Sequence, residues 1–209
     1  MSGIMVEEFI QNGRGVNMEL PSRIFFTGVP GSKWSGIAQV IESILNLNTS
    51  DRTPEREYTH EKFSGHKGAY FGTGMEFPPN LKLVDNAHTS MEGSRLIKSH
   101  DWSYMLDDIR KEYPLDWIIL VYRNSAESFR WWKQAGGFDI TYPKYDAYVD
   151  DLTMRKEIAR QNELMVNYTI ENNIMWQPFN EQFFKGYFDI DTSEIDYNKW
   201  NGIYITIIK

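Results

Sequence analysis

The run Arg23-Ile-Phe-Phe-Thr27, short, apolar and rich in β-formers, leads through a Gly- and Ser-containing stretch into Ile37-Ala-Gln-Val-Ile-Glu-Ser-Ile-Leu45, whose apolar residues recur at helical spacing. Strand, loop and helix in that order constrain the chain more than any other feature, because this is the unit from which α/β sheets are wound. The loop holds Gly28, Pro30, Gly31, Ser32 and Ser35. Such residues let backbone N–H groups converge at a helix start, where the helix dipole adds positive potential for a phosphate or sulfate. Lys33 adds a mobile cation, and Trp34 an aromatic face able to stack on a base.

The same alternation continues along the chain. Leu81-Lys-Leu-Val84 and Arg95-Leu-Ile-Lys98 read as short strands, Ser103 to Glu112 as a helix, and Asp116-Trp-Ile-Ile-Leu-Val-Tyr122 as a buried central strand. Ser125 to Gln134 reads as a helix stopped by Gly136-Gly137, and Lys144 to about Asn172 as a long charged helix. Ile174-Met-Trp-Gln-Pro178 returns towards the sheet, and Gly202 to Lys209 is a further strand. Asn48 to Lys67 is charged and polar, and Gly65 to Asn80, rich in Gly, Pro and aromatics, reads as a long surface loop of the lid or binding type. The expected fold is therefore α/β, with three layers: a mostly parallel central sheet, helices on both faces, and a ligand at the C-terminal strand ends. Residues 1–21 read as an N-terminal arm and residues 22–209 as a single domain, since 209 residues suit one well-buried α/β unit.

Composition narrows the chemistry. A net charge of −7 argues against broad contact with nucleic acid or anionic membranes but permits a local cationic pocket. The absence of Cys removes disulfide scaffolds, thiolate nucleophiles and Cys-based zinc sites. No apolar stretch approaches the roughly 20 residues that span a bilayer, and no signal-like segment opens the chain, so a cytoplasmic location is expected. None of the His pairs among His60, His66, His88 and His100 has the spacing of a metal site, and no metal is expected.

Two further segments carry polar residues to predicted strand ends: Leu96-Ile-Lys-Ser-His100 and Leu120-Val-Tyr-Arg-Asn124. A neutral imidazole at His100 is suited to accept a proton from a hydroxyl, against the bland alternative of a loop His bonded to backbone. Arg123 at the end of an apolar strand suits a phosphate through its guanidinium fork, against a buried structural ion pair. Lys33 and Lys98 suit charge stabilisation, against two solvated lysines.

As an ordered set, Pro30-Gly-Ser-Lys-Trp-Ser35, Lys98-Ser-His100, and Arg123-Asn124 leading into Ser125-Ala-Glu-Ser-Phe-Arg-Trp-Trp-Lys133 resemble the PAPS-dependent sulfotransferase family. The resemblance implies a P-loop-like fold and transfer of a sulfuryl group from PAPS to a hydroxyl or amine of a small-molecule or glycan acceptor, leaving PAP. It implies His100 as base and Lys98 and Lys33 as stabilisers. Pro30, Gly31, Ser32, Lys33, Trp34 and Ser35 would lie around the 5′-phosphosulfate, with Arg123 at the 3′-phosphate. The sequence departs from the family pattern in three places: Gly31 stands where the loop Lys usually follows the Pro, so that Lys33 would reach in from two residues later; Trp131 stands where a Ser is usual, with Ser128 one helical turn earlier as a substitute; and the family's later Arg-Lys-Gly segment is echoed only by Phe184-Lys-Gly186. Two rivals remain. One is a P-loop kinase with Asp85 as a Mg²⁺ holder, although Lys33 falls where that motif needs Gly; the other is a non-catalytic binding module on the same fold.

Overall fold

A computed structural model describes residues 19–50, 57–60, 66–70, 79–82, 84, 92–139 and 146–209. Its centre is a five-stranded sheet in the order β4-β1-β5-β7-β6, built from β1 (Arg23–Gly28), β4 (Arg95–Lys98), β5 (Trp117–Arg123), β6 (Gln177–Pro178) and β7 (Ile203–Ile208). A separate hairpin pairs β2 (Glu57–His60) with β3 (His66–Tyr70). Strand β1 pairs in parallel with β4 on one side and β5 on the other. Strand β7 runs antiparallel to both β5 and β6, so the sheet is mixed.

Residues alternate between two cores, as the pleat requires. Ile24, Phe26, Ile119 and Val121 point to one face, under α1 (Trp34–Ile44) and an aromatic helix whose Phe183, Phe184 and Phe188 are buried. Phe25, Ile97, Ile118 and Leu120 point to the other, under α2 (Leu106–Glu112), α3 (Ser125–Gln134) and α4 (Asp151–Glu171). The aromatic helix is α5 (Glu181–Phe188). Helices thus cover both faces and the three-layer α/β architecture is present.

Several expectations change. Leu81, Lys82 and Val84 have helical backbone instead of forming a strand, and Val84 is fully buried under the α2 side. The stretch read as a loop from Gly65 contains β3, while residues 71–78 lie outside the described residues. The helix expected from Ser103 begins one turn later: a 3-10 turn at His100–Tyr104 precedes α2. The long helix starts at Asp151, where Asp150 accepts from the Thr153 amide at 2.7 Å and so satisfies an otherwise unbonded N–H. Residues 1–18 of the expected arm at 1–21, and the rival metal-holding Asp85, lie outside the described residues.

Candidate functional site

Because β4, β1 and β5 are adjacent and parallel, their C-terminal ends form one edge of the sheet, carrying Lys98, Gly28 and Arg123. The three segments singled out in the sequence therefore meet in space.

The β1–α1 loop is held in a compressed shape. Ser32 N–H donates to the Val29 carbonyl at 3.0 Å, closing a turn, and Gly31 (φ +79°) sits against the first turns of α3. A Cβ on Gly31 would lie 1.9 Å from the Ser128 carbonyl oxygen, so only glycine fits. Lys33 caps α1 in the left-handed region (φ 63°) without a side-chain cap, and the first turn of α1 holds no acidic residue. The leading amides of α1 thus keep the positive end of a helix. Inside the loop the Ser32 hydroxyl is fully buried and has no hydrogen-bond partner. Ser35 is half-buried in the first turn of α1.

Two cations flank this loop. The Lys33 Nζ donates to the Lys199 carbonyl at 2.7 Å and lies 4.3 Å over the Trp131 ring. Partial burial, then the charges of Arg123 and Lys199, hold its ammonium below the usual lysine range. The Arg123 Nη1 donates to the Gly31 carbonyl at 3.1 Å, and its guanidinium lies 3.7 Å from Glu127 and 6.0 Å from the Trp131 ring centre. Trp131, where the family pattern has Ser, is therefore an aromatic floor shared by both cations. Ser128 is fully buried, and its hydroxyl donates to the Arg123 carbonyl at 3.4 Å. Asn162 on α4 donates to the same carbonyl at 2.9 Å, so the end of β5 is fixed from two sides.

His100 is brought to the loop from the opposite flank. Ser99 accepts from the Asp101 amide and starts the 3-10 turn, while Thr27 and Ser103 hydroxyls donate to the His100 carbonyl at 3.2 and 2.9 Å. The imidazole Nδ1 is hydrogen-bonded to the Gly28 carbonyl. A carbonyl only accepts, so Nδ1 carries the proton and Nε2 the lone pair. Burial pushes the imidazole down to about 4, against the raising effect of the Gly28 bond, so the ring is neutral at pH 7.

Three of the expected site residues are engaged inside the fold: Ser128, whose buried hydroxyl is spent on the Arg123 carbonyl instead of facing a 3′-phosphate, Trp34 and Lys98. The Trp34 ring stacks on Phe26 (5.7 Å), lies tilted against His100 (4.1 Å) and is only 6% exposed, which leaves it within the core and not available to an adenine. Lys98 is 3% exposed and lies 3.8 Å from the buried Glu42 carboxylate of α1. On a short strand its side chain shares the α1 face with Leu96, which explains why it points away from the loop mouth.

Beside His100 opens a pocket of about 230 Å³, walled by Pro30, His100, Asp101, Asp146, Glu157 and Gln161. Sequence reasoning missed its acidic wall because the residues come from three distant segments. The available signal was Glu157 and Gln161, one helical turn apart on α4, with Gln161 on the helix's buried face.

Among the described residues, no group of three or more His, Cys, Asp or Glu side chains is arranged to hold a metal ion, and no helix is long and apolar enough to cross a membrane. Compared with family models, curated proteins and solved structures, the chain matches none.

Proposed function

We propose that this domain binds PAPS across the β1–α1 and β5–α3 loops and transfers its sulfuryl group to an acceptor held in the pocket beside His100. The observation that carries this reading is the convergence of Lys33 and Arg123 on one loop whose other flank touches a neutral imidazole. Two cations close enough to depress the lysine would be relieved by an anion between them, and the unpartnered Ser32 hydroxyl and the start of α1 offer hydrogen-bond donors nearby.

In this reading the acceptor O–H gives its proton to Nε2 of His100 while its oxygen bonds to sulfur. The bond from sulfur to the bridging phosphate oxygen breaks, and its electron pair stays on the 5′-phosphate of PAP. Lys33 and the helix start stabilise that charge, the same service cations give in phosphoryl transfer. Arg123 recognises the 3′-phosphate, while Ser128 holds the Arg123 carbonyl in place. Lys98, already matched by Glu42, serves the packing of α1 on β4.

A second reading, a nucleotide-free binding module, is favoured by the burial of Trp34 and Ser128, both of which a donor site would want open. Thermal-shift titrations with PAP, ATP and GTP, with and without Mg²⁺, separate the readings. PAP should raise the melting temperature most and without Mg²⁺, by about 2.7 kcal/mol of stability at a hundredfold excess over Kd. A Mg²⁺-dependent shift with ATP would support the kinase instead, and no shift with any nucleotide would support the binding module.

A further inference from the structure

We infer that the pocket beside His100 recognises a small organic cation, an amine that also carries the accepting hydroxyl; this rests on the acceptor role proposed for the pocket. Its wall is mixed, with Ala147, Tyr148 and Met154 beside the acidic residues, and its charge is negative. Asp101, Asp146 and Glu157 contribute three carboxylates, and Pro30 lacks a backbone N–H. Gln161, 2% exposed, donates its Nε2 to Glu157 at 2.8 Å, while its Oε1 is buried with no hydrogen-bond partner. A buried carbonyl without a donor is costly; Glu157 already accepts from Tyr104 as well as Gln161, but no Lys or Arg is among the described lining residues to balance the carboxylates. An ammonium supplies up to three donors, with the charge the carboxylates call for.

The carboxylates also repel one another. Burial, then Glu157 and Asp146, push the Asp101 carboxyl up to about 6, a strain that a cation seated among them would relieve. A metal ion is not the occupant the geometry suits, since these groups are not arranged as a coordination set. Size points the same way: about 230 Å³ is below the range of drug-sized ligand sites, so the cation is small. An ammonium held by carboxylates stays protonated and is no nucleophile, which leaves a hydroxyl on the same molecule to face His100.

The test uses three probes of one shape, benzylamine, benzyl alcohol and benzoate, titrated calorimetrically into the full chain at pH 7.5. Benzylamine should bind about tenfold or more tighter than benzyl alcohol, the scale of a charge-assisted hydrogen bond, and benzoate should bind weakest. Asp146→Asn, an exposed position that leaves the fold intact, and Glu157→Gln should each remove most of that preference. Equal affinities, a preference for benzoate, no binding of benzylamine, or a preference that survives both substitutions would overturn the inference. A parallel PAP titration keeps the two proposals apart. PAP binding without amine preference defeats this inference alone, and amine preference without PAP binding defeats the donor assignment alone.

Discussion

The two flanks of the β1–α1 loop carry opposite charge and differ in closure. On the α3 flank Lys33 and Arg123 share the Trp131 ring, and Gly31 is pressed onto the Ser128 backbone. On the 3-10 flank His100 borders an open pocket with Asp101, Asp146 and Glu157. One loop therefore separates a closed cationic side from an open acidic one, with a neutral imidazole at the boundary. In the proposed reading an anionic donor and a cationic acceptor would meet across this loop, each rejected by the other's side.

The largest effect is expected at Lys98. If its charge belongs to the core and not to the cationic flank, Lys98→Met should leave Glu42 buried with its ion-pair partner removed and cost about 3–5 kcal/mol in urea unfolding. Lys98→Met combined with Glu42→Leu should recover most of that loss. A single substitution that leaves stability unchanged but abolishes transfer would return Lys98 to the site.

The seat of the loop comes next. Gly31→Ala forces a Cβ into backbone atoms at positive φ and should cost about 3 kcal/mol. Gly36→Ala, whose Cβ would meet its nearest heavy atom at 3.8 Å within α1, should be neutral or stabilise by up to about 1 kcal/mol. Equal unfolding midpoints for the two variants would show that the loop is not pinned to α3.

Acidification sharpens the acidic side. The His100 imidazole falls from 6.5 unfolded to about 4 folded, so the stability it contributes is present above pH 6.5 and is lost as pH falls towards 4. The loss is on the order of 3 kcal/mol across that window, and it should vanish in His100→Gln. Asp101 has the opposite sign: its carboxyl rises from 3.8 to about 6, so its contribution weakens as pH climbs through that interval. Relative to the parent, Asp101→Asn should therefore be more sensitive to acid, by a smaller amount because the group is partly solvated. Parallel pH profiles for parent and both variants would remove the electrostatic account of this flank.

Legibility followed the kind of signal each element carries. Strands β1, β4 and β5 and helices α1 and α3 were readable because apolar runs and their stops are local. The direction of β7 was not, since the same apolar run, Ile203–Ile208, fits a parallel or an antiparallel neighbour. Leu81-Lys-Leu-Val84 alternates like a strand yet is too short for period to decide, and burial against the α2 side won. Helix α5 was missed because its Phe183, Phe184 and Phe188 give β-like aromatics in a short segment. That His100, Lys33 and Arg123 would gather at one sheet edge was legible from their places at or after strand ends. The fate of Lys98 was not, since Glu42 lies far away in the sequence on the face only the fold reveals.

A cationic flank built for a nucleotide with phosphates at both ends must tell PAP from AMP. Calorimetric titration of PAP and AMP into the parent and Arg123→Ala tests this most directly. The account predicts that PAP binds the parent about tenfold to a hundredfold more tightly than AMP, because Arg123 meets its anion only in PAP, and that Arg123→Ala removes this preference while AMP binding hardly changes. Equal affinity of the parent for PAP and AMP would contradict it.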